Sequence, residues 1–477
     1  MYTNLVTLAY VISILSLFFL NRGRDEQTSK AVWIPVVWLS IAGSRMVSEW
    51  MSGPVAPGTV SGNLYIEGSP FDRNLLTILL LVGVVVLLLR GRRVAALLKS
   101  NWPILLFFFY CLLSIAWSDF PDVAFKRWVK ALGDIVMVLV VLTDTNPSAA
   151  VKRLLARVGF VLIPISILFI KYYPFWGRAY DPGAWTPMYT GVTTNKNQLG
   201  MIALIAGLGA VWRFLHIPRT ERHTRNPQQF VAEGILLAMA FWLLYKANSA
   251  TSLSCFLMAG ILILLTNRAW FRRMPLLTHA LVFSMLAVSS FALFSDSGGG
   301  LLGTLGRNST LTGRTDIWNQ VLSMAESPFL GTGFESFWLG PRLQKIWNIW
   351  WWHPNEAHNG YIEVYLNLGW VGLTLLGVVL VTGYRNIIAT FRTKPDMAEI
   401  KLAYFFVAIV YNFTESAIRT MNPVWIVFLL SVIVIPDAPA LEEPPPLLIH
   451  RTIKPAERET QFEPVARAGL RPQQESN

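Results

Sequence analysis

Apolar stretches of about twenty residues recur along this chain and limit what it can fold into more than any other feature. A bilayer core of about 30 Å is crossed by roughly 20 helical residues, each rising about 1.5 Å. Thirteen stretches approach that length, near 4–20, 31–50, 74–90, 102–118, 128–142, 153–170, 197–215, 230–246, 250–266, 277–294, 361–384, 401–414 and 422–436. Soluble core helices are usually shorter and keep a polar face. Charged residues make up 14% of the 477, against about 25% in soluble domains. The expected fold class is therefore all-α: a polytopic integral membrane protein with about 12–13 transmembrane helices and one long, partly helical loop. Two of the stretches carry internal charge, Arg45 and Glu49 in the second and Asp134 in the fifth.

The net charge of +12 does not point to nucleic acid, because the cations are not gathered into a patch. They fall in alternate short loops: Arg22, Arg24 and Lys30; Arg90, Arg92, Arg93 and Lys99; Lys152 and Arg153; Arg213, Arg219, Arg222 and Arg225; Arg268, Arg272 and Arg273; Arg385, Arg392, Lys394 and Lys401. That alternation follows the positive-inside rule and assigns these loops to the cytoplasm. The other set, 51–73, 119–127, 171–196, 295–360 and 415–421, then faces outward. Cys111 and Cys255 both lie in apolar runs and suggest neither a disulfide framework nor structural zinc. The first apolar run has no cleavage signature and reads as a retained span. The expected organisation is N-terminal transmembrane helices over 1–183, a central region over 184–394 containing the long loop 295–360, C-terminal helices over 395–436, and a disordered cytoplasmic tail over 437–477. That tail carries Arg451, Lys454 and Arg458.

Three constellations lie on the outward side. The first, Gly191-Val-Thr-Thr-Asn-Lys-Asn-Gln-Leu-Gly200, opens the seventh span. Thr193, Thr194 or Asn195 can cap that helix, which places Lys196 in its first turn. A cation there opposes the helix dipole unless an anion joins it; the bland alternative is a lysine snorkelling to headgroups. The second, Gly313-Arg314-Thr-Asp-Ile-Trp318, lies in the long loop, where Thr312 can cap a helix running to about Glu326. Ile317, Trp318, Val321, Leu322 and Met324 recur at helical spacing, which reads as an amphipathic helix lying over the membrane surface. Arg314 either meets an anion or pairs with Asp316 or a headgroup. The third, Trp350-Trp-Trp-His-Pro-Asn-Glu-Ala-His-Asn-Gly360, holds His353, Glu356 and His358. Its His-x2-Glu-x-His spacing is not that of a helical zinc site, and no metal is expected. A neutral imidazole suits a general base, oriented by Glu356 or Glu363; the bland alternative is an interfacial histidine hydrogen-bonded to backbone. The tryptophans form a membrane belt or a floor for sugar rings. Arg178, Lys246, Ser249, Glu415 and Arg419 lie at nearby outward helix ends. Cations placed against the positive-inside rule point to an anionic substrate.

Taken in order, Thr194-Asn195-Lys196-Asn197-Gln-Leu-Gly200, Gly313-Arg314-Thr-Asp-Ile-Trp318, Pro328-Phe-Leu-Gly331-Thr-Gly333 and Ala357-His358-Asn359-Gly360-Tyr361 through Leu368-Gly369 resemble the O-antigen ligase and polymerase superfamily of bacterial envelope proteins. The resemblance covers roughly 185–385. It implies a metal-independent inverting glycosyltransferase without a cofactor, multi-pass in the inner membrane, with its active site facing the periplasm. The donor would be an undecaprenyl-diphosphate-linked glycan. The acceptor would be another lipid-linked glycan for a polymerase, or lipid A core for a ligase; a chain-length regulator and export proteins would be further partners. Carried over, Lys196 and Arg314 hold the diphosphate and His358 is the base, with Asn197, Arg178, Lys246, Ser249, Glu356, Asn359 and Arg419 lining the substrate site. The chain departs from the pattern after Ser249, where many members have Arg or Lys and this one has Ala250 and Thr251; either one anion contact is missing, or Lys246 or Arg419 supplies it. An exopolysaccharide or O-antigen polymerase is preferred to a ligase, because the outward loops show no extra basic patch for a phosphorylated core. A flippase or transporter is the reading from another class. It is disfavoured because no internal repeat and no Gly/Pro-broken pair of spans is seen, and because a transporter places ionisable groups at mid-depth.

Overall fold

The computed structural model describes residues 2–21, 28–53, 68–180, 186–217, 226–272, 274–294, 312–350 and 352–436. Arg22, Arg24, Arg219, Arg222, Arg225, Arg273 and Trp351 lie outside them, as do 295–311 of the long loop and the tail over 437–477.

Helices dominate. In chain order they are α1 (Tyr2–Leu20), α2 (Trp33–Ala42), α3 (Val47–Ser52), α4 (Pro70–Leu89), α5 (Gly91–Ser100), α6 (Trp102–Leu113), α7 (Pro121–Leu142), α8 (Pro147–Tyr172) and α9 (Pro174–Gly177). There follow α10 (Lys196–Leu215), α11 (Pro227–Ala247), α12 (Ala250–Thr266), α13 (Ala269–Arg272), α14 (Pro275–Phe294), α15 (Thr312–Ser323), α16 (Gly340–Ile349), α17 (Gly360–Thr393), α18 (Pro395–Tyr411) and α19 (Pro423–Val432). Proline opens many of them, where its missing N–H and fixed φ cost nothing. Six helices are long and apolar enough to cross a bilayer, seven if the bent pair Gly91–Ser100 and Trp102–Trp117 is one span. The chain is an all-α, multi-pass membrane protein. Its described β structure is one antiparallel pair, β1 (Arg178–Tyr180) and β2 (Pro187–Tyr189), inside a segment expected to be loop.

Buried apolar residues from nearly every long helix form one core. Central in it is α10, which packs against α8, α11, α12 and α18.

Where the sequence placed charge inside spans, the structure puts it to structural use. The stretch 31–50 breaks after α2, and buried Arg45 donates to the Gly191 and Trp176 carbonyls at 3.2 and 2.9 Å. Asp134, fully buried on α7, accepts from Trp38 Nε1 at 2.8 Å and from the Met421 N–H at 3.0 Å. That second bond ties the turn after α18 to the bundle.

Three expectations need correction. The basic stretch 91–100, expected as loop, is helix α5, bent 86° from the segment that follows. Helix α15 ends at Ser323, and its apolar face does not wait for lipid: Ile317 and Val321 are buried in a second core with Phe337, Trp338, Leu343 and Ile346. One span is also interrupted at a glycine, where no Gly/Pro-broken pair was expected: α17 leaves helical geometry at Gly369 (φ 62°, ψ −164°).

That break shapes the long loop. A helix interrupted within a membrane protein frees N–H and C=O groups that must find partners in protein. The segment 328–333 supplies them. Thr332 and Gly333 donate to the Leu366 and Asn367 carbonyls at 3.1 and 2.9 Å, while Trp370 and Val371 donate to the Pro328 and Phe329 carbonyls at 2.9 and 3.2 Å. Two glycines permit the approach. A Cβ on Gly369 would lie 2.2 Å from the Phe329 oxygen, and one on Gly331 would lie 2.3 Å from the Asn367 carbonyl carbon. Gly369→Ala should therefore lower thermal stability in detergent sharply, with backbone strain alone contributing roughly 1–3 kcal/mol. Gly377→Ala, on the same helix with open space around its Cβ, is the control and should be neutral or better. Equal melting of the two variants would show that this backbone pairing is dispensable.

Candidate active site

Each candidate side chain is set by a helix end. At α10 the cap is Asn195, whose side chain accepts from the Gln198 N–H at 2.9 Å, so Lys196 begins the helix as expected. At α17 the cap is Asn359, which accepts from the Tyr361 and Ile362 N–H groups at 3.0 and 3.1 Å. His358, just before it, has φ 52°, a left-handed conformation that disfavours a side chain. Neighbouring backbone is clamped to hold it there. The Asn359 N–H donates to Ser416 Oγ at 3.2 Å, Gly360 N–H donates to the Asn412 carbonyl at 2.9 Å, and Ala357 N–H donates to Glu363. Glu363 also takes the Trp338 indole N–H, so of the two carboxylates suggested as orienters of His358 this one braces the loop instead.

The segment between α18 and α19 is fixed as firmly. Asn412 Oδ1 accepts from the Ala417 and Ile418 N–H groups at 2.8 and 3.0 Å, folding the chain into a turn. Thr420 donates to Glu335 at 3.0 Å through its N–H, and Asp134 holds Met421. This turn presents Glu415 and Arg419.

The three constellations meet at Glu415. Its Oε1 accepts from Asn197 Nδ2 at 3.0 Å and lies 3.3 Å from Arg314 Nη2, while its Oε2 lies 3.6 Å from His358 Nδ1. Arg314 also donates to the Thr414 carbonyl. On the other side of His358, Nδ1 is 3.0 Å from Glu356 Oε1, and Glu356 Oε2 takes a 2.7 Å bond from Arg419. Three segments distant in sequence thus form one lattice of alternating charge: Arg314, Glu415, His358, Glu356, Arg419. Although 3.0 Å from Glu356, Nδ1 is off line for a hydrogen bond. Lys196, half-buried beside Asn197, makes no ion pair among the described residues.

The lattice sets the charge states of its members. Burial alone would push the Glu356 carboxyl up, but His358 and Arg419 outweigh it and bring it down to about 2. Burial would likewise lower the His358 imidazole, yet Glu356 and Glu415 raise it to about 9. The ring is therefore an imidazolium at neutral pH in this state. Contact of Nδ1 with the carboxylates leaves Nε2 as the nitrogen turned away from them. Trp352 stacks over the ring, 6.3 Å between centroids and 27° from parallel.

Other expected site residues are committed elsewhere. Arg178 donates to the Ile170 carbonyl at 2.9 Å and lies over Tyr189. Lys246 lies over the same Tyr189 ring at 5.3 Å, with Trp242 and Tyr245 beside it. Ser249 caps α12. Of the two cations considered as substitutes at the Ala250 position, Arg419 belongs to the lattice, whereas Lys246 packs on aromatic rings. His353 stacks on Trp347 at 4.9 Å. Glu415 is the principal residue missed as part of the site. It was visible only as a carboxylate at the end of a span, and nothing local marks it as the meeting point. It also changes the metal argument: the spacing within 353–358 omits it, yet Glu356, His358 and Glu415 turn ligating atoms to within 4.8 Å of one another.

Residues 230–377 match the O-antigen ligase family. Over 303 residues the chain is 27% identical to the exopolysaccharide production protein ExoQ of Rhizobium meliloti (strain 1021), covering 61% of this chain and 66% of that protein, just under two thirds of its length. Arg314 and His358 lie within the matched family region, while Lys196, Glu415 and Arg419 flank it. Motif order, a multi-pass helical fold and these matches agree in supporting a likeness to the O-antigen ligase/polymerase superfamily.

Proposed function

We propose that the protein is an inverting, metal-independent glycosyltransferase that polymerises an undecaprenyl-diphosphate-linked glycan at the periplasmic face of the inner membrane. The observation that carries this reading is the convergence of Asn197, Arg314 and His358 on Glu415. An acceptor sugar hydroxyl gives its proton to His358 Nε2, and its oxygen bonds to the anomeric carbon of the donor. The bond from that carbon to the diphosphate oxygen breaks, and undecaprenyl diphosphate departs with the electron pair. Arg314, Lys196 and Arg419 stabilise the charge growing on the leaving group, the kind of preorganised electrostatics that often dominates catalysis. Glu356 orients the ring and Trp352 offers an acceptor sugar a flat face. The basic loops at the opposite helix ends support a periplasmic site.

Metal independence draws on the pairing of the carboxylates. Arg419 already holds Glu356 and Arg314 already holds Glu415, so a divalent ion would have to displace fixed cations. An exopolysaccharide as product agrees with the name of the rhizobial relative; a chain-length regulator and export proteins are the further partners this reading calls for. Lipid A core ligation uses the same chemistry on another acceptor. A flippase gains some ground from the broken α17, but the buried carboxylate at mid-span, Asp134, is held by Trp38 and Met421 rather than left to relay cargo.

Envelope glycans from a deletion strain complemented with His358→Ala should contain single lipid-linked repeats on the outer leaflet in place of long chains. Long lipid-linked chains would make the protein a ligase, unflipped repeats a flippase, and a wild-type pattern at equal expression would remove His358 from the mechanism. Arg314→Ala should cost about 10²–10³-fold in kcat, and Arg314→Lys should recover only part, because a lysine lacks the fork that reaches both Glu415 and Thr414. The pH dependence has a definite sign. With the free-enzyme imidazole at about 9, the neutral base is about one part in a hundred at pH 7. kcat/KM should then climb about tenfold per pH unit before levelling near that value. A profile that instead falls through it would make the imidazolium the working form, acting as one more cation on the diphosphate.

A further inference from the structure

At the far end of α10, a second cluster has the geometry of a metal site. His216, the residue after the helix, places Nε2 3.2 Å from Asp396 Oδ1 and 3.4 Å from Glu399 Oε2, both on α18. All three ligating atoms lie within 4.8 Å of one another. Metal–ligand bonds of about 2.0–2.1 Å put neighbouring ligands of a tetrahedral zinc ion about 3.3 Å apart, the spacing seen here.

The imidazole tautomer supplies an independent observation. His216 Nδ1 lies 2.9 Å from the Trp212 carbonyl oxygen, which can only accept, so Nδ1 carries the hydrogen. In a neutral ring Nε2 is then a lone pair aimed at two carboxylates, a repulsion that the Asn267 amide relieves in part and that a cation between them would turn to attraction. A ring N–H donated to a backbone carbonyl while the other nitrogen binds metal is the usual arrangement of a histidine ligand. The frame is also rigid: Trp212 Nε1 donates to the Asp396 carbonyl at 2.7 Å. Asn267, at the end of α12, points its amide into the same space, 3.3 Å from His216 Nε2 and from both Glu399 oxygens. Rotating that amide would offer Oδ1 as a fourth ligand.

We propose that His216, Asp396 and Glu399, with Asn267, bind a divalent transition-metal ion of the zinc class that clips α10, α12 and α18 together. The position gives the ion a purpose. Helix α10 is about 30 Å long, and its other end carries Lys196 and Asn197, while α18 leads into the turn bearing Glu415. The ion would fasten one end of the helix pair whose opposite end is joined by Asn197 and Glu415. This inference does not depend on the reaction proposed above.

The test uses the full-length protein in detergent, stripped with EDTA, dialysed against Zn²⁺ and desalted, with zinc per chain read by elemental analysis and Tm by thermal unfolding. Wild type should retain about one equivalent of zinc and melt higher than the stripped protein. Asp396→Asn, which keeps the shape of a side chain that is 56% exposed, should retain far less, as should His216→Ala. His358→Ala should retain zinc, because the trio it disrupts is a different cluster. No retained zinc in wild type would leave a cluster held by hydrogen bonds and contacts within the protein and overturn the proposal. Zinc kept by both His216→Ala and Asp396→Asn, or lost only from His358→Ala, would overturn it as well.

Discussion

Much of the architecture depends on four backbone hydrogen bonds around Gly369. A helix that breaks among apolar neighbours exposes amide groups that lipid cannot satisfy, and each left unpaired costs several kcal/mol. In this chain the exposed groups are answered by the backbone of 328–333. The exchange fixes the middle of the long loop against α17, and with it the second core built from α15 and α16. Asn367 extends the same junction by accepting from the Ser336 and Phe337 N–H groups at 2.8 and 3.0 Å. Arg314 on α15 and His358 before α17 therefore belong to one braced unit.

Through that junction the meaning of the motifs divides. Pro328-Phe-Leu-Gly331-Thr-Gly333 and Leu368-Gly369 bring two backbones together, which explains their glycines: only a residue without Cβ allows carbonyls to approach that closely. Asn195 and Asn359 are helix caps that aim the residues next to them. On the proposed reading, the side chains left to act on a substrate are fewer: Lys196, Arg314, His358, Trp352, Glu356, Glu415 and Arg419.

The sequence made the class of fold and the order of the motifs legible because both are local. Apolar run length, proline at helix starts and caps such as Asn195 depend on neighbouring residues. What it hid depends on contacts between distant ones. The break at Gly369 reads locally as an ordinary glycine in a span, and becomes necessary only when Phe329 is laid against it. Val321 reads as part of a lipid-facing stripe until Phe337 and Ile346 cover it. Glu415 has no local signature, since its role consists of partners at Asn197, Arg314 and His358. His216 likewise reads as one more polar residue at a helix end until Asp396 and Glu399 are placed beside it.

On the proposed reading, the carboxylates of the lattice explain how a membrane protein keeps several cations ready for an anion. Bare guanidinium groups half-buried together would repel one another and lose hydration, a cost of several kcal/mol per ion. Glu415 and Glu356 offset that cost while the site waits, holding Arg314 and Arg419 in rigid positions. An arriving diphosphate competes with the carboxylates for cations that are already oriented, so little reorganisation remains to be done in the transition state. Lys196, with no carboxylate of its own among the described residues, is the cation that an anion could engage without breaking a pair. It stands at the positive end of α10, where helix dipole and ammonium act on an anion with the same sign. First contact through Lys196, followed by exchange at Arg314 and Arg419, is the sequence of steps this distribution of paired and unpaired charge favours.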